Sequence, residues 1–233
     1  MITMKHYRIY VAALVSVLML AACEKSPIID GGLSSENVNM TTYDFLKTHP
    51  RQMFDTTLLI IDKAGLKETI NGSGTYFVPT DYSIVAFLNK KRDEARKKDE
   101  RLTYTLDSLF KYFSPKMLKD SMGMYFFPEK IVRDNLNEAG KLYQSATPGV
   151  TLDISLEERD QYTYGGIITN KPKYIYLNKV LGVKDVIVNS EKADPSGTTT
   201  LKDIKALTQT SGLITTNGVV HVLENKHIWT FKQ

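Results

Sequence analysis

Thr75-Tyr76-Phe77-Val78-Pro79-Thr80-Asp81-Tyr82-Ser83-Ile84-Val85-Ala86-Phe87 reads as a strand, a break and a helix in immediate succession. The aromatic and β-branched residues before Pro79 suit a pleated strand, and proline, which has no amide to donate, ends the ladder. Asp81 is then expected to cap a helix, its carboxylate accepting from the unpaired amides of the first turn, with Ile84, Val85, Phe87 and Leu88 on the inner face. Asn71-Gly72-Ser73-Gly74 supplies the turn that leads in.

Working outward, a second stretch near the other end of the chain carries an equally local signal. Gly212-Leu213-Ile214-Thr215-Thr216-Asn217-Gly218-Val219-Val220-His221-Val222-Leu223 is expected to form a hairpin, because Asn-Gly accepts the positive φ angles of a type I′ turn. His221 alternates with Val220 and Val222 and is expected to be a buried, hydrogen-bonded imidazole. His227-Ile228-Trp229-Thr230-Phe231 reads as a last strand that closes the sheet beside the first.

Ahead of the first stretch, Thr41 to Leu66 reads as two helical pieces. Thr42 is the expected cap of the first, Pro50 interrupts, and Phe54, Leu58 and Ile61, widened by Leu59, form the inner face of the second, which Gly65 ends. Lys90 to Arg101 mixes charges of both signs and suits a solvated helix with i,i+4 pairs. Leu102, Leu106, Leu109, Phe110 and Phe113 predict an amphipathic helix stopped by Pro115. The pattern then shortens: Met124–Phe127, Ile131–Val132, Leu142–Tyr143, Thr151–Leu156, Tyr162–Tyr164, Tyr174–Leu177 and Val183–Val188 are strand-like, and 190–200 reads as a polar loop. Helices early and strands late predict an α+β body in two layers.

The amino terminus has the layout of an export signal: Lys5 and Arg8, an apolar run from Ile9 to Met19, then Leu20-Ala21-Ala22-Cys23. The run is shorter than the roughly 20 apolar residues of a spanning helix. Cys23 is the chain's single cysteine, so no intramolecular disulfide is available, and a free thiol in an oxidising compartment would be a liability. Leu20-Ala21-Ala22-Cys23 resembles the bacterial lipobox, which implies cleavage before Cys23 and lipidation of its thiol, anchoring the chain to a membrane. An ordinary signal peptide followed by a chance cysteine is the other reading. The division expected is residues 1–22 signal, 23–40 lipidated cysteine and tether, and 41–233 a single domain. Glu24-Lys25-Ser26 lacks an aspartate directly after the cysteine, which favours the outer membrane, on its periplasmic or its outer side. The formal charge of +4 includes Lys5 and Arg8, which leave with the signal, so nucleic-acid binding is unsupported.

The two quoted stretches resemble the two conserved boxes of the fasciclin (FAS1) domain, and with the Thr41–Leu66 helices the similarity reaches from about residue 41 to residue 224. The combination resembles FAS1 lipoproteins of Gram-negative, Bacteroidetes-like bacteria. It implies a wedge-shaped β-sandwich covered by helices, with the boxes as neighbouring central strands and with insertions near Arg92–Lys98, Met124–Gln144 or 190–200. Phe77, Pro79, Thr80, Asp81 and Phe87, together with Asn217, Gly218 and His221, then form one structural region. Where many family members carry a Tyr-His pair linked to adhesion, this chain has Tyr112-Phe113.

Chemistry is not expected. There is no Gly-x-Ser-x-Gly elbow, P-loop or dinucleotide fingerprint, and His49, His221 and His227 have no standard metal spacing, so no catalytic residue, cofactor or metal is assigned. Candidate contact residues are Tyr112, Tyr125, Phe127, Tyr162, Tyr164, Tyr174 and Tyr176, since tyrosine offers broad area with a polar tip. The expected function is adhesion or protein association at the cell envelope, with a surface protein or a TonB-dependent transporter complex as partner. The alternative is a glycan-binding accessory lipoprotein of an outer-membrane uptake complex.

Overall fold

The computed structural model describes residues 36–159, 171–188, 191–193, 195–196 and 201–232. Cys23 and its flanks, Tyr162, Tyr164 and most of the 190–200 loop therefore lie outside the described residues. The helices are α1 (Thr42–Lys47), α2 (Asp55–Lys63), α3 (Lys67–Ile70), α4 (Asp81–Arg96), α5 (Leu106–Tyr112) and α6 (Pro115–Gly123). The strands are β1 (Gly74–Val78), β2 (Phe126–Phe127), β3 (Lys141–Gln144), β4 (Thr151–Glu158), β5 (Lys173–Lys179), β6 (Val186–Val188), β7 (Glu191–Ala193), β8 (Ile204–Ile214) and β9 (Gly218–Leu223). None of the described helices is long and apolar enough to cross a membrane.

Seven strands form one sheet in the order β2-β1-β9-β8-β5-β4-β3, and β6 pairs with β7 separately. The fold is α+β, and the two quoted stretches lie side by side as neighbouring strands of the sheet, as the resemblance implied. They pair in parallel, from Gly74 opposite Gly218 to Val78 opposite Val222, whereas the other neighbours run antiparallel. Parallel neighbours need a long crossover, and here three of the six helices and the other seven strands lie between these two strands in sequence.

Close backbone approach requires glycine at both 74 and 218. A Cβ on Gly218 would lie 2.7 Å from the Gly74 carbonyl oxygen across the β1–β9 pairing, and one on Gly74 would collide with the Phe127 carbonyl oxygen of β2. The type I′ turn expected at Asn217-Gly218 is not formed, since neither residue has a positive φ. Thr215 N donates to Gly218 O at 2.9 Å, and Gly218 N donates to the Thr215 hydroxyl at 3.0 Å, so a side chain closes the connection. Glu36 and Val38 continue the pairing outward, with Val38 N donating to Ile214 O at 2.7 Å and Ile214 N to Glu36 O at 2.6 Å.

The helices differ from expectation where a partner distant in sequence decides. Thr41 rather than Thr42 caps α1, its hydroxyl accepting from Asp44 N at 3.2 Å, while Thr42 is buried with its hydroxyl 2.9 Å from that of Thr215. In α2 the buried face is Leu58, Ile60 and Ile61, and Leu59 points outward. Gly65, at φ +64°, follows that helix as expected. In α4 the buried residues are Ser83, Ile84 and Phe87; Val85, one position past Ile84 and so about 100° around the axis, is exposed. Leu102 is exposed and precedes α5, which Thr105 and Ser108 open with a reciprocal capping box. Pro115 starts α6 rather than stopping α5: it fills the first helical position, where its missing amide is not needed, and the Ser114 hydroxyl accepts from Met117 N at 3.2 Å.

The last segment is also not a strand. Trp229–Phe231 forms a short 3₁₀ turn in which Thr230 and Phe231 have φ of 64° and 54°. The tertiary packing that holds it is visible: Trp229 is fully buried, with its ring centroid 5.0 Å from that of Phe87 and 6.3 Å from that of Phe113. Thr230 N donates to the Tyr125 hydroxyl at 2.8 Å. The strand beside β1 is β9. One ion pair ties the small hairpin to the sheet, from Glu157 on β4 to Lys192 on β7 at 2.5 Å, and a second, from Glu157 to Lys205 on β8 at 2.8 Å, lies within the sheet. Burial opposes ionisation of Glu157, but hydrogen bonds from Lys192, Lys205 and Ser155 hold its carboxyl below the ordinary range.

Candidate functional site

The residues of the two boxes come together, and their side chains are engaged in holding the fold. Phe77 stacks on the His221 imidazole at 4.7 Å and meets Phe127 edge-on at 5.6 Å. His221 Nδ1 accepts from Gly212 N at 3.1 Å, so its proton sits on Nε2, which donates to Ile131 O at 3.0 Å. Burial lowers its pKa to about 4, so the ring is neutral. Thr80 is fully buried and donates to Asn225 Oδ1 at 3.1 Å, and the Pro79 carbonyl accepts from the Thr57 hydroxyl at 2.9 Å. Asn217 Oδ1 accepts from Thr42 N at 3.0 Å while its Nδ2 donates to Asn71 O at 2.5 Å, joining α1, the turn before β1 and the hairpin end.

Asp81 caps a helix, but not its own. Its two carboxylate oxygens accept from Thr56 N at 3.1 Å and Thr57 N at 3.0 Å, in the first turn of α2. Thr80 is the cap residue of α4 and makes no side-chain cap bond there. One acidic side chain therefore fixes the start of α2 against the start of α4.

A second buried histidine belongs to the same packing. The Tyr125 hydroxyl accepts from Thr230 N and is hydrogen-bonded to His227 Nε2, 2.8 Å away. Burial lowers the pKa of His227 to about 3 and raises that of Tyr125. Tyr125 and Phe127, expected as contact residues, are fully buried and are core packing instead. Among the described residues, no group of three or more His, Cys, Asp or Glu is placed to hold a metal.

Of the other contact candidates, Tyr112 is exposed and stacks on Tyr104 at 6.1 Å. Tyr174 and Tyr176 share the half-buried face of β5, with Lys205 Nζ 5.8 Å from the Tyr176 ring centroid.

The surface feature that sequence reading missed lies between α1 and α2, where Pro50 breaks the helix. Two hollows flank Arg51 and Met53. One, of about 300 Å³, has buried Phe54, Leu213 and Val222 beneath exposed Arg51, Gln209 and Thr210. The other, of about 220 Å³, lies on the far side of Met53 against Asp81, Tyr82 and Val85. β8 reaches the first hollow where its register to β9 slips twice, between Thr208 and Thr210 and between Thr210 and Leu213. Gln52, between the two shared residues, has a left-handed φ of 48°, and its amide donates to His49 O at 2.9 Å. The His49 ring lies edge-on to Phe54 at 5.1 Å, and burial, followed by the nearby Arg51 charge, lowers its pKa. No local sequence signal marks this place, because β8 and the α1–α2 connection meet only in the folded chain.

Among solved structures, a FAS1 domain pair from the insect cell adhesion molecule fasciclin I is similar to this chain. The match has 16% identity and a TM-score of 0.43, and it covers 79% of this chain. The chain spans about half, 49%, of that structure's length. No family model matches the sequence, and no curated protein matches it.

Proposed function

We propose that this chain is a non-enzymatic, lipid-anchored cell-envelope protein whose FAS1-type domain mediates adhesion or protein association. The observation that carries the association reading is the pair of hollows beside α4, where Tyr82 and Val85 stand exposed next to half-buried Met53. Exposed aromatic, aliphatic and methionine side chains at a hollow supply contact area for a partner. The anchor reading rests on Leu20-Ala21-Ala22-Cys23. It gives a membrane attachment through Cys23, at the outer membrane.

Affinity recovery from detergent-solubilised native membranes tests the association, with the lipidated protein carrying a carboxy-terminal tag. Specific recovery of an outer-membrane transporter or another surface protein supports it, and recovery of the bait alone counts against it. The anchor is tested by metabolic labelling with an alkyne fatty acid: label is expected in the native chain and absent from Cys23→Ser. Equal labelling of both chains, or of neither, refutes lipidation at Cys23.

Glycan binding is the second reading, and the stacked Tyr104–Tyr112 pair favours it, because a flat exposed aromatic face suits a sugar ring. Saturable binding on a glycan array that Tyr112→Ala abolishes would establish it.

A further inference from the structure

We infer that the hollows astride Arg51 and Met53 form a docking site for an extended segment of a protein partner that presents a carboxylate between two apolar side chains. The inference rests on the association reading above and names its place and chemistry. Three observations meet at this spot. The first is shape. The hollows, of about 300 and 220 Å³, are separate but share Arg51 and Met53 as a common wall. Each is the size of one or two side chains, which fits successive anchors of an extended peptide. A single long acyl chain would call for one continuous channel.

The second is charge. Arg51 is exposed at the wall between the hollows, and no carboxylate among the described residues forms an ion pair with its guanidinium. The carboxylate that lines the second hollow, Asp81, is already bound to the amides of Thr56 and Thr57. A guanidinium presents a planar fork that a carboxylate fills with two parallel hydrogen bonds. Burial and then the Arg51 charge lower the pKa of the neighbouring His49, so Arg51 is the permanent cation of the site.

The third is the surface left uncovered. Val85 and Tyr82 are exposed on a helix whose opposite face fills the core, and they border the second hollow. At the first hollow, Thr210 and Gln209 lie on the twice-slipped part of β8, where the regular ladder to β9 is interrupted and polar groups face the rim. Gln52, in left-handed backbone, stands between Arg51 and Met53, the two residues that line both hollows. Such a conformation in a non-glycine residue is held in place by its surroundings, and such strain gathers at binding sites.

The test uses the full lipidated chain in detergent micelles and a displayed library of random twelve-residue peptides. Enriched peptides are expected to carry Asp or Glu flanked by apolar residues. Their affinity is expected to fall at least tenfold against Arg51→Gln and against Val85→Ser, while Lys97→Gln, on the charged end of α4, leaves it unchanged. Arg51 and Val85 are exposed, so neither variant threatens folding, and an unchanged unfolding midpoint confirms this for each. Peptides without a carboxylate, equal binding to Arg51→Gln, or no enrichment at all would overturn the inference. Displacement of the peptides by oleate micelles, with tighter binding of oleate itself, would assign the site to an anionic lipid and overturn it as well. If native membranes yield the same protein partner with Arg51→Gln as with the unaltered chain, association stands and this site is not its place. If no partner is recovered with either, the broader reading fails first.

Discussion

Acid is expected to unfold this protein through two histidines that cannot take a proton without leaving the core. His221 and His227 are fully or almost fully buried, and burial lowers their pKa values to about 4 and about 3. In the unfolded chain each titrates near 6.5. Their folded values are depressed, so their contribution is complete above pH 6.5 and is lost as the pH falls toward 4, where the unfolded state alone binds protons. Between pH 7.5 and pH 5 each neutral ring gives up about 2 kcal/mol, and the pair about 4 kcal/mol. With a urea m-value of about 2 kcal/mol per M, the unfolding midpoint falls by about 2 M across that range. The single tryptophan, Trp229, buried between Phe87 and Phe113, reports the transition by fluorescence. His221→Gln keeps a donor for Ile131 O and an acceptor for Gly212 N but removes the titration, so the pH-dependent loss is expected to halve even though the variant is less stable throughout. A midpoint that stays constant from pH 7.5 to 5, or a variant whose pH slope matches that of the unaltered protein, would refute the reasoning.

Two further perturbations probe the centre of the fold. Gly218→Ala places a methyl group 2.7 Å from the Gly74 carbonyl oxygen, a backbone atom held by the β1–β9 pairing. It is expected to lower stability by about 1–3 kcal/mol, read as a drop in the urea midpoint. Asp81→Ala leaves the amides of Thr56 and Thr57 without their acceptor and is expected to cost about 2 kcal/mol. Asp81→Asn, which keeps one oxygen, is expected to recover part of that in the same measurement, and equal losses in the two variants would contradict the capping geometry.

The parts of this fold legible in the sequence are those fixed within a few residues. The strand, proline and helix order of Thr75–Phe87 needs only local rules, and so does the end of α2 at Gly65. What escaped reading was set by partners far along the chain. Asp81 caps a helix whose first-turn residue Thr56 lies 25 residues earlier, because the starts of α2 and α4 are packed together. Asn217-Gly218 has the composition of a turn, yet Gly218 is needed for the close approach of β1, and Asn217 for bonds to Thr42 and Asn71. Tyr125 looks like a surface aromatic until Thr230 and His227 are seen to satisfy its hydroxyl. Thr230 and Phe231 have neither glycine's nor asparagine's tolerance of positive φ, and only the packing of Trp229 and the bond to Tyr125 explain why they adopt it. The hollows beside Arg51 were invisible for the same reason, since their walls come from α1–α2, α4, β8 and β9.

The parallel pairing of β1 with β9 sets the order in which this domain is completed. Among the described strands β1 is the first made and β9 the last, so a nascent chain carries one half of its central pair long before the other half exists. Contacts of such long sequence separation slow folding. A chain stopped short of Gly218 has an open edge along the whole of β1, a template for pairing with other chains until the last strand arrives. Synthesis of this protein therefore delivers a chain whose central pair stays open until β9 has emerged.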